Sequence, residues 1–179
     1  MKSLENVERY LNSFGKYVVK QARTNLTKGK KNVNKALYNS IKFEVFANAK
    51  EITINFYMLD YGSFVDEGVS GNKKAQTYKD YKGKTVTSSF SFKSKQPPSG
   101  IIEKWIKQRG IKGRDKKGRF TTRKSLAFLI ARSIKIRGIK STSFFQRPLE
   151  LGMKNFSENY AEALKKDIED GIKTETETI

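Results

Sequence analysis

The sequence predicts an α+β fold: a long N-terminal helix and a C-terminal helix packed on a small antiparallel sheet, with a basic helical and loop insertion. Three observations predict it. Apolar residues recur at helical spacing over residues 4–22, two strictly alternating runs follow around a polar turn, and the excess positive charge is confined to the middle of the chain. A length of 179 residues with 36% hydrophobic content suits a single domain over 1–179, with residues 70–140 as an insertion or arm within it.

Leu4, Val7, Leu11, Phe14, Val18 and Ala22 share one side of a helix that stops near the basic cluster KGKK. Asn34 is placed to cap a short helix carrying Ala36, Leu37, Ser40 and Ile41. Ile41, Phe43, Val45 and Ala47 then alternate with Lys42, Glu44 and Phe46. After a turn at Asn48–Lys50 the alternation resumes with Ile52, Ile54, Phe56 and Met58. Such a pair of runs is a β-hairpin with one buried face, and the first helix is expected across that face. The stretch LDYGSFVDEG offers Tyr61, Phe64 and Val65 as a compact apolar set on one helical turn, expected to tuck under the hairpin. Gly62 and Gly68 beside it can take backbone angles that cost other residues energy.

Residues 72–96 have little apolar periodicity, and 85–93 (TVTSSFSFK) read as a strand within an exposed excursion. Pro97, Pro98 and Ser99 open a helix with Ile101, Ile102, Trp105 and Ile106 along one side, which makes Trp105 a core residue; Gly110 ends it. The loop GIKGRDKKGRFTTRK has the glycine spacing of a phosphate-binding loop but lacks the Lys-Ser/Thr that should follow, and reads as a mobile basic turn. Thr121 or Thr122 caps the next helix, whose apolar residues are Leu126, Leu129, Ile130 and Ile134, with Gly138 at its end. A single final helix carries the stripe Leu149, Met153, Phe156, Tyr160, Leu164 and Ile168. No internal repeat is visible. The polarity of 70–96 and 110–121 predicts that they become ordered on assembly, where a partner offsets the entropy of ordering them.

The chain has no cysteine and no histidine. Disulfide frameworks, Cys/His zinc sites and every nucleophilic relay that needs an imidazole base are thereby excluded. Asp66 and Glu67 are adjacent acids, but sequence neighbours on a short turn diverge and do not converge on one reacting atom. No catalytic residue, metal site or cofactor is expected. The N-terminal stretch is charged throughout and does not read as a signal peptide, and no apolar run approaches the roughly 20 residues of a membrane span. A soluble protein made in a cytosol is expected.

Net charge is +19, and its placement is informative. Residues 70–140 hold 21 Lys/Arg against three acids, whereas residues 141–179 hold five against eight. The middle therefore reads as a module for an anionic surface, with Lys112, Arg114, Lys116, Lys117, Arg119, Arg123 and Lys124 as the candidate contacts to an acidic partner or to nucleic acid. The two helices flanking that loop are too far apart in sequence for a helix-turn-helix, so any nucleic-acid contact is expected at the backbone rather than at bases.

The order of elements carries one further signal. A long helix, a hairpin, the turn Tyr61-Gly62-Ser63-Phe64-Val65-Asp66-Glu67-Gly68 and, much later, Phe144-Phe145-Gln146-Arg147-Pro148 opening a C-terminal helix resemble the tail-completion (neck, or head–tail connector) proteins of tailed bacteriophages. Tyr61, Gly62, Val65, Glu67 and Gly68 match that family's turn, and Phe145 and Pro148 its aromatic-proline lead-in. The resemblance covers residues 1–69 and 138–170, and the basic middle looks like an elaboration of longer neck proteins. It implies a non-enzymatic virion protein assembled in the host cytoplasm: a six- or twelve-fold ring at the head–tail junction, flanked by portal, adaptor and tail proteins, with the basic segment on such a surface or on packaged DNA. Tyr61, Gly62, Phe64, Val65, Gly68, Phe144, Phe145 and Pro148 are then the implied interface set.

Overall fold

A computed structural model describes residues 4–29, 35–47 and 52–176. Among them are seven helices and three two-stranded antiparallel sheets, the α+β class expected. Helix α1 (Glu5–Lys28) buries Val7, Leu11, Phe14, Val18, Ala22 and Leu26, the predicted stripe extended by one turn. Gly15 lies on the same face. A Cβ there would run into the ring of Phe43, so the missing side chain sets how closely α1 crosses the hairpin. The short helix α2 (Ala36–Ser40) follows, entered through Lys35 at a left-handed φ of 56°. Asn34, the expected cap, lies outside the described residues, as does the turn at 48–50.

Strands β1 (Lys42–Ala47) and β2 (Ile52–Tyr57) pair with Phe43 opposite Phe56 and Val45 opposite Ile54. Phe43, Ile54 and Phe56 pack against the buried residues of α1, while Phe46 on the other face stays 49% exposed. Alternation and a period of two thus give one covered face, as the pattern requires.

After the hairpin come α3 (Tyr61–Glu67) and the two-residue strand β3 (Val69–Ser70). The excursion then holds β4 (Thr77–Lys79), β5 (Thr85–Thr87), α4 (Ser99–Arg109) and α5 (Arg123–Arg137), and returns as β6 (Gly138–Ile139). Strand β3 pairs with β6, Val69 opposite Ile139 and Ser70 opposite Gly138. The basic arm therefore leaves and returns through one tiny ladder, at the boundaries the charge count draws. Gly138 sits at φ 78°, and a Cβ on it would strike the carbonyl of Val69, so only glycine closes this base. The strand expected over 85–93 is shorter: β5 stops at Thr87, and Ser91 adds an isolated parallel bridge to Ser70.

Helices α4 and α5 pack on one another through Ile106, Ala127 and Ala131, each at 0% exposure. Three of the expected core positions are corrected here. Ile101 is 64% exposed, Trp105 38% exposed and Leu129 56% exposed, because burial between the helices falls on Ile106 and the two alanines, whose small side chains let the helix axes approach, and leaves the other large residues to either side. Thr122 is the cap of α5, its Oγ1 accepting the Ser125 N–H at 3.2 Å.

The single C-terminal helix predicted is two. Helix α6 (Gln146–Met153) ends at Lys154, and α7 (Phe156–Thr176) follows. The break lets both touch α1: a Cβ on Gly152 of α6 would press on the Phe14 ring, and Phe156 of α7 packs edge-on to that ring at 5.0 Å. Helix α7 runs antiparallel to α1 and fastens its start. Asp167 Oδ1 accepts the Asn6 N–H at 2.8 Å and Oδ2 accepts the Val7 N–H at 3.0 Å, where Leu4 offers no side-chain cap. Burial pushes the Asp167 carboxyl up, but these two N–H bonds and the Asn6 side chain outweigh it and hold the group below the ordinary aspartate value. No helix among the described residues is long and apolar enough to cross a membrane.

The α1–hairpin crossing is open to test. Gly15→Ala is expected to lower stability by about 1–3 kcal/mol through overlap with Phe43. Gly100→Ala, whose Cβ meets open space in α4, is expected to leave Tm unchanged or slightly higher. Thermal melting of the two variants beside wild type checks it; equal melting of Gly15→Ala and wild type would contradict the close crossing.

Candidate functional site

The stretch 61–67 is nearly two helical turns, and that periodicity decides which of its residues face inward. Gly62 and Asp66, four apart, are the buried pair. Tyr61 is 42% exposed and Phe64 41% exposed, so neither tucks under the hairpin as the apolar set suggested. Val65 does pack on the core. Gly62 has no positive φ; it is needed for space, since a Cβ would crowd Met58 and Leu37. Gly68 does take the left-handed region, at φ 79°, and its carbonyl accepts the Ser88 hydroxyl at 2.6 Å. Phe64 meets Phe90 of the arm edge-on at 4.2 Å, so it ties α3 to the arm rather than to the hairpin.

Asp66 joins the two motifs that lie 79 residues apart. Its Oδ1 accepts the Phe145 N–H at 2.8 Å and its Oδ2 accepts the Gln146 N–H at 3.3 Å. These are orphan donors at the start of α6, which has no side-chain cap from Phe145. The fastening is reciprocal. The Val65 carbonyl, at the end of α3, accepts the Thr142 hydroxyl at 2.7 Å, and the Asp66 carbonyl accepts the Ser143 N–H at 3.0 Å. Asp66 is 3% exposed. Burial raises its carboxyl from the ordinary 3.8 to about 6, against the pull of the Phe145 and Gln146 N–H groups, with the charge of Glu67 adding to the rise. Glu67 turns away, towards the Ser89 hydroxyl at 3.3 Å, so the adjacent acids do diverge.

Around this junction Phe144 is 1% exposed, Phe145 is 8% exposed and Pro148 is fully buried. Phe145 packs edge-on to Phe56 of the hairpin at 5.4 Å, and the Phe144 carbonyl accepts the Asn25 amide of α1 at 3.3 Å. Of the implied interface set, Gly62, Gly68, Phe144, Phe145 and Pro148 are thus enclosed by the chain itself. Tyr61 and Phe64 are its surface members.

The basic candidates are all exposed, but they divide into two kinds. Arg119 binds Asp115 through its Nε at 3.0 Å, and the Arg114 guanidinium lies 4.1 Å over the Phe120 ring. Lys112, Lys116, Lys117, Arg123 and Lys124 stand at the surface around them. The expected mobile turn is a built one: Asp115 Oδ1 accepts the N–H groups of Lys117 and Arg119, both at 2.9 Å, and Gly118 sits at φ 79°. The same turn occurs between β4 and β5. There Asp80 Oδ1 accepts the N–H groups of Lys82 at 2.9 Å and Lys84 at 2.8 Å, with Gly83 at φ 77°. Asp-Tyr-Lys-Gly-Lys at 80–84 and Asp-Lys-Lys-Gly-Arg at 115–119 are therefore a repeated structural unit, where a reading for longer periods finds none. Both polar segments expected to be loose carry this local order.

Asp66 and Asp167 are the residues that sequence reasoning missed, and one signal pointed to them. Helices α1 and α6 begin at Leu4 and Phe145, neither of which can cap, so the orphan N–H groups need an acceptor from elsewhere. The chain matches no protein-family model, no curated protein and no solved structure.

Two outcomes follow from the junction. Phe144→Ala is expected to cost about 3–5 kcal/mol as a buried aromatic, and Phe64→Ala clearly less because its ring is half in solvent; denaturant melts of both variants measure the difference. For Asp66, the folded chain holds the proton more tightly than the unfolded chain. Its contribution is therefore full below about pH 4 and is lost as pH rises through about 6. Asp66→Asn is expected to remove that dependence, so its stability relative to wild type should rise between pH 4 and 7. A relative stability that stays flat across that window would show that the carboxyl is not perturbed.

Proposed function

We propose that this chain is a structural protein of a tailed-phage virion, a ring-forming subunit of the neck at the head–tail junction, where it completes or connects the tail. The observation that carries this reading is the junction at Asp66. The two short motifs that resemble the tail-completion family, 61–68 and 144–148, lie far apart in sequence yet share one set of hydrogen bonds and one patch of core. A body of α1, one hairpin and two closing helices, from which a basic arm projects on a narrow base, suits a subunit that grips its neighbours. In this reading the protein has no enzymatic activity and no cofactor. Its partners are copies of itself in a six- or twelve-fold ring and the portal, adaptor and tail proteins on either side.

A second reading has one observation in its favour. The arm concentrates 21 Lys/Arg against three acids, which also suits non-specific contact with the phosphate backbone of DNA or RNA.

One experiment separates them. Lys112, Lys116, Lys117 and Lys124 are changed together to Glu, leaving Arg114 and Arg119 to hold the turn. Folding is expected to be intact, since exposed charges contribute little to stability. Incorporation into virions, scored by complementation of a phage lacking the protein, is expected to be lost. A wild-type chain absent from virions, with salt-dependent nucleic-acid binding that the variant loses, would favour the second reading and overturn the first.

A further inference from the structure

We infer that copies of this chain join head to tail, the acidic end of α7 in one copy seating in a basic-rimmed apolar groove beside the second half of α1 in the next. The inference names the contact surface for the ring proposed above, and rests on that reading only for closure.

The groove has a volume of about 810 Å³ and lies between α1, α2 and the start of β1. Val19, Ile41 and Phe43 form its floor, and Lys16, Lys20, Lys28 and Lys42 stand around it, Lys42 also pairing with Glu44 at 3.3 Å; no acid lines it among the described residues. Arg23 braces the far wall, donating from Nη2 to the Ile41 carbonyl at 2.8 Å and from Nε to the Tyr38 carbonyl at 3.1 Å while its guanidinium covers the Tyr38 ring. This is an apolar trough with cations at its lip, shaped for an amphipathic segment of the opposite charge.

The same chain carries such a segment. Helix α7 is fixed to the start of α1 at Asp167 and continues for nine more residues to Thr176. At 1.5 Å per residue its end reaches about 13 Å past that anchorage. Ile168 and Ile172, four apart and so on one face, are 55% and 60% exposed there. Residues 168–176 hold three acids, Glu169, Asp170 and Glu175, against one Lys173, with Asp170 also accepting the Asn6 amide at 3.1 Å. Two exposed isoleucines amid acids complement three apolar residues amid lysines in both chemistry and charge.

The placement of the two surfaces decides the geometry. The tip of α7 lies beyond the first turn of α1, and the groove begins at Lys16, about 15 Å along the helix in the opposite direction from Asn6, and runs on to Lys28. Tip and groove of one copy are therefore too far apart to meet each other. A contact between unlike surfaces of two copies is heterologous, and repetition of it closes into a ring or runs on as a filament.

The test uses two full-length variants. In the tip variant Ile168→Lys, Glu169→Lys and Ile172→Lys are combined; in the groove variant Lys16→Glu, Lys20→Glu and Lys28→Glu. All six positions are exposed, and thermal melting confirms folding. Should the tip variant fold poorly, a chain ending at Asp167 keeps the hydrogen bonds of that carboxylate to Asn6 and Val7 and replaces it. Native mass spectrometry and sedimentation velocity are expected to show wild type as a closed oligomer and each variant alone as a monomer. A mixture of the two should form a one-to-one heterodimer, because one intact tip and one intact groove remain. Closed rings from both variants would overturn the inference while leaving the ring reading in place. Monomers in the mixture, or a monomeric wild type, would also overturn it. Wild-type filaments or reciprocal dimers that the variants abolish would uphold the contact and overturn the ring.

Discussion

A carboxylate buried at 3% exposure fastens the start of the basic arm to the chain that returns from it, 79 residues later. Asp66 ends one short helix and begins another. Its backbone carbonyl and that of Val65 take donors from 142–143, and its side chain takes the first N–H groups of α6. A carboxylate removed from water is costly unless its lone pairs are engaged, and here the engagement is with donors that would otherwise be orphans of their own. The donors gain an acceptor, while the carboxylate's own desolvation is only partly offset, which is why its carboxyl stays raised. The seating of Phe144, Phe145 and Pro148 against α1 and the hairpin depends on that exchange, since it fixes where the returning chain enters the core. At the opposite end of the body, Asp167 does the same for the start of α1 in a more open setting. The two sites differ in burial, and their carboxyls are shifted in opposite directions accordingly: up for Asp66, down for Asp167.

Much of the body could be read from local pattern. The stripe of α1 and the alternation of the hairpin involve single elements with one covered face, and such elements announce their own burial. The arm was legible as a unit through its charge, whose limits fall on the β3–β6 ladder. What failed was reading which residues of a short or two-sided helix face inward. Tyr61, Phe64, Trp105 and Leu129 are apolar, yet each keeps more than a third of its surface in solvent. The positions that actually approach a neighbour are Gly62, Asp66, Ala127 and Ala131, where smallness or a hydrogen bond decides. The break at Lys154 was hidden because a stripe of apolar residues continues across it. The paired turns at Asp80 and Asp115 escaped notice because a five-residue unit leaves no periodicity to detect. Of the candidate site, the two motifs were visible separately; their meeting was not, because nothing local to either names the other as its partner.

The distribution of side-chain size supports a division between body and arm. Aromatic rings interlock through the body: Phe14, Phe56, Phe145 and Phe156 form a chain of edge-on contacts from the hairpin to α7. In the arm, full burial is limited to Ile106 and two alanines between the helices, while Ile101, Phe120, Phe128 and Leu129 remain in solvent. The body thus has the packing of a self-sufficient core, and the arm that of a surface awaiting cover.

The ladder at the base of the arm has a consequence for how such a chain can change over generations. Residues 71–137 depart from Ser70 and come back at Gly138, its direct partner across the strands. To the rest of the protein, the whole excursion is a loop whose two ends are already side by side. Lengthening or replacing a loop between fixed ends has an entropic cost that grows only with the logarithm of its length. The arm can therefore be remodelled, or reduced to a tight turn, with the body keeping its own contacts apart from those that residues such as Phe64, Glu67, Gly68 and Ser141 make with it. Selection can act on what the arm touches almost independently of what the body folds into.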